Sequence, residues 1–306
     1  MIDLHIHSKY SDGTYFVKEI LEEAERKNIE IISITDHDTV EAYKELKNID
    51  IQKFYSGKII TGCEFKCLYE KYKLPIEILG YGFNIKEVDS ELNSNKNEII
   101  QNRYLEKLKD IGNRIGLEFD KKLEINYEND SYASAVFERE INSYPNNKKI
   151  LEYNHISIKE NFYREAQSNP NSIFYIDETK DYLNANIIID LIHKAGGMAF
   201  LAHPFVYPID NTLEKLEEFV NEYNIDGIEC YYSLFTNNQI SQLEKICKKH
   251  HLYMSGGTDF HGEKKPDIDL GIGKGNLKIS KEKISNWINK INNMQINIWK
   301  EEKQTC

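Results

Sequence analysis

Short β-like runs in this chain repeatedly end in histidine or a carboxylate, and that pattern restricts the fold more than any other feature. Met1–His7 reads as a strand closing on His5-Ile6-His7. Side chains two apart in a strand project from one face, so both imidazoles can address one metal ion. Ser11-Asp12-Gly13 follows at once, and Ile29–Thr35, the next strand, runs into Thr35-Asp36-His37-Asp38. Later runs lead into Gly62-Cys63-Glu64-Phe65, Leu201-Ala202-His203-Pro204 and Gly257-Thr258-Asp259-Phe260-His261-Gly262. In parallel α/β folds the loops after the carboxyl ends of strands converge on one site. His5, His7, Asp12, His37, Glu64, His203, Asp259 and His261 are therefore expected to face one another. The remaining histidines, His155, His193, His250 and His251, fall in helical or polar contexts and read as ordinary surface or packed residues.

Between these junctions the first ninety residues alternate β-rich runs with helical patterns, the βαβα order of a parallel sheet or barrel. Val17, Ile20, Leu21 and Ala24 recur at helical spacing, and Ile59–Gly62 and Ile76–Tyr81 are further strand candidates. From about residue 95 to 180 the texture turns to polar helical segments rich in Asn, Glu, Lys and Tyr, which reads as an inserted, mainly helical domain. The barrel pattern resumes with Ile187–Lys194, ended by Gly196 and Gly197, and then Met198–His203. Ile225–Tyr232 and Leu252–Gly256 read as later strands around a helix Asn238–Lys249, and Ile284, Trp287, Ile288 and Ile291 mark a closing helix. The expected architecture is an α/β barrel formed by 1–94 and 181–306, with 95–180 inserted. At 306 residues the chain is long enough for both.

The net charge of −11 argues against a broad basic face for duplex nucleic acid, so any phosphate must be attracted locally, as by cations. No apolar run approaches the roughly 20 residues that cross a bilayer, and the start, MIDLHIHSKYSDG, lacks a signal region. A cytoplasmic protein with no membrane contact is expected. Cys63, Cys67, Cys230, Cys247 and Cys306 lack zinc-ribbon spacing and read as reduced thiols.

HIHSKYSDG, TDHD, GCEF, LAHP and GTDFHG, in that order, resemble the PHP (polymerase and histidinol phosphatase) superfamily of metal-dependent phosphoesterases, and within it the nucleotide-directed phosphatase and 5′-3′ exonuclease-like branch. The resemblance covers 1–85 and 190–275. It implies a distorted (β/α)7 barrel with two or three divalent ions, Mn, Fe or Zn, with Mg also admissible. By the same likeness His5, His7, Glu64 and Asp259 hold one ion, Glu64 bridges to a second that His203 also binds, and Asp12, His37 and His261 form the third site. His203, His261 and Asp259 are the residues expected to carry catalysis, either histidine being a candidate proton donor to the leaving oxygen. The chain departs from the family at Glu77, which stands where that branch usually has a histidine ligand. We expect Glu77 to be a ligand too, because an unpaired carboxylate is costly in the apolar run Ile76–Leu79. Asn102-Arg103-Tyr104 resembles the helix that supplies a substrate arginine in nucleotide-directed relatives, and Arg139 is a second candidate. Four of the five arginines, Arg103, Arg114, Arg139 and Arg164, lie in the insert.

The expected function is hydrolysis of a small phosphomonoester, of a nucleotide, a nucleoside 3′,5′-bisphosphate or a short oligonucleotide, by water activated between adjacent cations. The alternatives are a histidinol-phosphate-type or other small-molecule phosphatase, a non-catalytic metal-binding PHP module, and C–N hydrolysis in an amidohydrolase-type barrel.

Overall fold

The computed structural model describes residues 1–92, 94–127, 130, 132–156 and 162–301, so Cys306 lies outside the described residues. The chain divides into two compact units, Met1–Leu92 with Tyr182–Cys306, and Asn93–Asp181.

The first unit opens with β1 (Ile2–Ile6), α1 (Val17–Arg26), β2 (Ile31–Ile34), α2 (Glu41–Leu46), β3 (Lys58–Ile59), β4 (Gly62–Tyr69), β5 (Leu74–Tyr81) and α3 (Ile85–Leu92). The second unit contains α4 (Ser94–Ile115), α5 (Ala133–Asn142) and α6 (Asn147–Tyr153). The first unit then resumes with β6 (Leu183–Asn184), α7 (Ala185–Lys194), β7 (Met198–Leu201), α8 (Thr212–Glu222), β8 (Gly227–Tyr232), α9 (Asn237–His250), β9 (Tyr253–Gly257) and α10 (Lys281–Glu301).

Strands β1-β2-β3 form one sheet and β6-β4-β5-β7-β8-β9 another. The two sheets are joined at two places. The amide of His7 donates to the Phe260 carbonyl (2.9 Å) and that of Asp259 to the His5 carbonyl (2.8 Å), tying β1 to the end of β9. On the other side a parallel bridge links His37 to Glu64, just beyond β2. The result is the distorted (β/α)7 barrel that the resemblance implies.

The distortion sits in β5, which runs antiparallel to both β4 and β7. This strand is the exception to the parallel βαβα order read from the first ninety residues. Only Glu70–Lys73 connects β4 to β5, and a parallel crossover needs a dozen or more residues, so this connection permits only a hairpin.

Helix α1 buries Val17, Ile20, Leu21 and Ala24, the helical stripe read from the sequence. Ile284, Trp287, Ile288 and Ile291 of α10 are buried in the same core, where Trp287 meets Phe200 and Tyr81. The second unit has its own core, in which Phe137 packs against Phe119, Phe162 and Phe174. Among the described residues no helix is long and apolar enough to cross a membrane.

Candidate metal centre

The strand ends predicted to converge do so at one mouth of the barrel. His5 and His7 leave β1 on one face, with their Nε2 atoms 3.1 Å apart. Glu64 Oε2 lies 3.2 Å from each of them. Asp259 Oδ1 approaches His7 Nε2 to 3.3 Å and His5 Nε2 to 3.7 Å. On one side of this group His203 Nε2 lies 3.0 Å from Glu64 Oε1 and 3.4 Å from Glu77 Oε2. On the other, Asp12 Oδ1 lies 3.2 Å from His261 Nε2, 3.4 Å from His7 Nδ1 and 3.9 Å from His37 Nε2. His37 Nδ1 turns back toward Glu64 (3.3 Å) and Glu77 (3.7 Å). Every residue expected at the cluster is thus within it, Glu77 included. Arg103 and Arg139 belong to the second unit, where Arg103 pairs with Asp181 (2.5 Å) and Arg139 makes a two-pronged pair with Asp130 (2.9 and 2.8 Å).

Local sequence explains the close approach. A Cβ on Gly257 would lie 2.3 Å from the His5 amide nitrogen, and one on Gly13 would lie 2.2 Å from the His7 carbonyl oxygen. Only glycine lets β9 and the Ser11-Asp12-Gly13 loop lie against the histidine strand. Two cluster residues also occupy left-handed backbone, His203 at φ 20° and Asp259 at φ 56°. Such conformations cost about 1–3 kcal/mol and persist where surrounding structure imposes them, often at functional sites.

The clustered donors perturb one another strongly. Burial alone would raise the Glu64 carboxyl, but His5 and His37 outweigh it and hold the group well below its usual range. His7 behaves oppositely, since Asp259 and Glu64 overcome burial and push it up to about 10. Burial drives His37 well below its ordinary value. Glu77 is raised to about 7, first by burial and then by the neighbouring Glu64 charge. Among the described residues the buried Nδ1 atoms of His37 and His203 have no hydrogen-bond partner.

This donor set fits divalent cations. Ligands at roughly 2.1 Å from an ion in octahedral to tetrahedral arrangements lie about 3.0–3.4 Å from one another, and the edges among His5, His7 and Glu64 are 3.1–3.2 Å. Further groups able to hold an ion are His7, Asp12, His37 and His261; His5, His203 and Glu229; and His37, Glu64 and Glu77. Mixed imidazole and carboxylate ligation suits Zn, Fe or Mn.

Several residues at the centre were not singled out from sequence. Glu229 of β8 is fully buried, with Oε1 2.9 Å from His5 Nδ1. Tyr232 and Lys265 both donate to Asp259 Oδ2. Asp36 accepts from the Ser8 and Ser11 hydroxyls (2.6 and 2.5 Å), which folds the loop that carries Asp12. Lys66 stands opposite Glu77 in the β4–β5 ladder. Glu229 had a readable signal, an acid inside an apolar strand. The others had none.

A profile of the PHP domain matches residues 3–231. The chain is 25% identical over 278 residues to the 5′-3′ exoribonuclease Rnm of Escherichia coli, covering 88% of this chain and 87% of that one. It is 22% identical over 278 residues to the 3′,5′-nucleoside bisphosphate phosphatase of Chromobacterium violaceum, covering 88% and 90%. A Bifidobacterium adolescentis structure assigned as a metal-dependent phosphoesterase superposes with a TM-score of 0.66 at 18% identity, over 95% of this chain and 94% of the other.

Proposed function

Because the chain belongs to the PHP domain family, we propose that it is a hydrolase that cleaves phosphate esters of nucleotides or short oligonucleotides with divalent cations. The observation that carries this reading is the convergence of His5, His7, Asp12, His37, Glu64, Glu77, His203, Asp259 and His261 at one barrel mouth, with donor atoms at ligand-to-ligand spacing. Bound cations supply Lewis acidity, lowering the pKa of water and offsetting charge on phosphoryl oxygens.

The protein's own part is to hold donors and exclude alternatives. Glu64 faces His5, His7 and His37 through Oε2 and His203 through Oε1, so it is the carboxylate shared between subsites. His5, His7 and Asp259 complete one set, and Asp12, His37 and His261 another. Proton delivery to the leaving oxygen by His203 or His261 needs a ring nitrogen not engaged elsewhere. His261 Nδ1 meets the Asp259 carbonyl at 2.9 Å, and His203 Nδ1 is buried with no hydrogen-bond partner among the described residues.

The substrate class rests on the relatives, one named for exoribonuclease and one for nucleoside bisphosphate phosphatase activity. A nucleoside 3′,5′-bisphosphate or an oligonucleotide trimmed from its 5′ end suits both. The inserted domain, 95–180, is proposed to serve this substrate through Arg103 and Arg139, whose present partners Asp181 and Asp130 a phosphate would replace. A cytoplasmic location accords with such a substrate. The test is phosphate release from nucleotides, bisphosphates, oligonucleotides and histidinol phosphate, with Mn²⁺ and with chelator. Chelator-sensitive turnover of a nucleotide is expected. Metal binding without turnover of any substrate would replace this reading with a non-catalytic module.

A further inference from the structure

Strand β8 carries none of the ligands expected from the sequence, yet two of its side chains reach the centre, and Glu229 groups there with His5 and His203. Glu229 is fully buried. Its Oε1 accepts from His5 Nδ1 at 2.9 Å and its Oε2 accepts the His203 backbone N–H at 2.9 Å. Tyr232, also buried, donates its hydroxyl to Asp259 Oδ2 at 2.7 Å. Regular alternation would put positions 229 and 232 on opposite faces of a strand. The pairing of β8 with β9 slips at this point: Glu229 lies opposite Ser255, but Tyr231 lies opposite Gly256, one extra residue on β8. Such a bulge re-aims side chains and is common beside active sites. Here it turns Glu229 and Tyr232 toward the same centre.

The contacts made by Glu229 are specific in kind. Each carboxylate oxygen is engaged by an N–H, so the group is occupied as an acceptor and stands behind His5. The opposite ring nitrogen, Nε2, is the one that meets His7 and Glu64. Accepting from Nδ1 selects the tautomer with a lone pair on Nε2 and makes that atom a stronger ligand. Accepting from the His203 amide anchors the residue whose backbone stands at φ 20°.

We infer that β8 is the positioning strand of the centre: Glu229 fixes the His5 tautomer and the His203 backbone together, and Tyr232 orients the Asp259 carboxylate. This rests on reading the centre as a metal site, and it assigns to Glu229 and Tyr232 a role that is neither ligation nor contact with substrate. Because Glu229 touches residues from β1 and from the end of β7, it also couples two subsites that share Glu64.

The test uses full-length protein and the variants Glu229→Gln and Tyr232→Phe, with Mn²⁺ titrated calorimetrically into chelator-treated protein. Co²⁺-substituted samples are read by their visible absorption. Glu229→Gln is expected to keep the metal stoichiometry, weaken Mn²⁺ about 10–100-fold, and shift the Co²⁺ bands. Tyr232→Phe should weaken binding in the same direction. Wild-type affinity and an unchanged Co²⁺ spectrum in Glu229→Gln would overturn the inference. So would loss of a whole equivalent of metal, which would make Glu229 a ligand. If Glu229→Gln does not fold, Tyr232→Phe decides alone, and wild-type affinity in it overturns the inference. Wild-type protein that binds Mn²⁺ tightly but turns over no phosphate ester would refute the proposed function and leave this inference standing.

Discussion

Replacing Glu77 by glutamine tests the position where the resemblance leads one to expect a histidine ligand. In the metal-free protein burial and the Glu64 charge raise the Glu77 carboxyl from 4.5 to about 7, a shift worth roughly 3 kcal/mol. The side chain is 23% exposed, so solvent screens little of it. A carboxyl whose folded pKa lies above its unfolded value contributes stability that is complete below the unfolded value and is lost as pH rises through the folded one. Chelator-treated wild type should therefore lose stability between about pH 5 and 8. His7, raised to about 10, adds a further loss beginning above its unfolded value of 6.5. Glutamine cannot ionise. Glu77→Gln should flatten the Glu77 component alone, so that the variant is the more stable of the two at pH 8 in chelator, by a few kcal/mol at most. With Mn²⁺ the order should reverse, because a cation relieves the same charge and needs the carboxylate deprotonated. If Glu77 is a ligand, wild-type Mn²⁺ affinity should rise by up to about tenfold per pH unit from pH 6 to 7 for the one proton displaced, and the variant should lack that component. Thermal melts with chelator and with Mn²⁺, and Mn²⁺ calorimetry at pH 6, 7 and 8, give both readings. Identical pH profiles and equal Mn²⁺ affinity in the two proteins would place Glu77 outside the coordination sphere.

Three further outcomes are expected. His37→Ala and Asp259→Ala should each lower metal content by elemental analysis and abolish turnover; wild-type rates in either folded, metal-loaded variant would sink the assignment. Arg103→Ala should leave metal content unchanged and raise KM for a nucleotide roughly 10- to 100-fold, the loss of one charge-assisted contact. Its half-exposed pair with Asp181 should cost under about 1 kcal/mol in a denaturant melt, and an unchanged KM would return Arg103 to the solvated surface. Gly257→Ala, whose Cβ would stand 2.3 Å from the His5 amide nitrogen, should destabilise the protein by about 1–3 kcal/mol or more and weaken Mn²⁺ by displacing His5; wild-type melting and affinity would show that β9 can yield.

The strand-end residues are legible in the sequence because a general rule of parallel α/β folds brings carboxyl ends of strands together, whichever strands they are. His5, His7, His37, His203, Asp259 and His261 need nothing more. Glu229 obeys no such rule, since it lies inside β8 between Ile228 and Cys230. An acid in an apolar run needs a partner, at Glu229 as at Glu77. Tyr232 depends on the bulge after Glu229, and a single extra residue in a strand pair leaves no mark in hydrophobic periodicity. Lys265 and Asp36 are likewise ordinary residues in polar loops until the chain folds. The β4–β5 hairpin follows from loop length only once the strand ends are known: Glu70–Lys73 cannot carry a crossover, whereas the strand candidates Ile59–Gly62 and Ile76–Tyr81 leave a gap long enough for one.

That hairpin explains how Glu77 reaches a site made by carboxyl ends although it lies in the first half of its own strand. Residues past the ends of β1 and β2 stand at the barrel mouth, and Glu64 meets that level because His37 bridges to it beyond β2. β4 continues outward from there and β5 returns. In the return, Glu77 pairs with Lys66 and its carbonyl accepts the Ala202 amide at 3.0 Å, one residue before His203. A strand running opposite to its neighbours thus presents a residue from its amino-terminal half at the height where the parallel strands end. Cross-strand partners share a face, and so do residues two apart, so Glu64, Lys66 and Glu77 project to one side together. A slip of one residue in this ladder would turn Glu77 to the opposite face. The register from Gly62–Tyr81 to Tyr69–Leu74 is unbroken, and that continuity fixes the position of Glu77 at the centre.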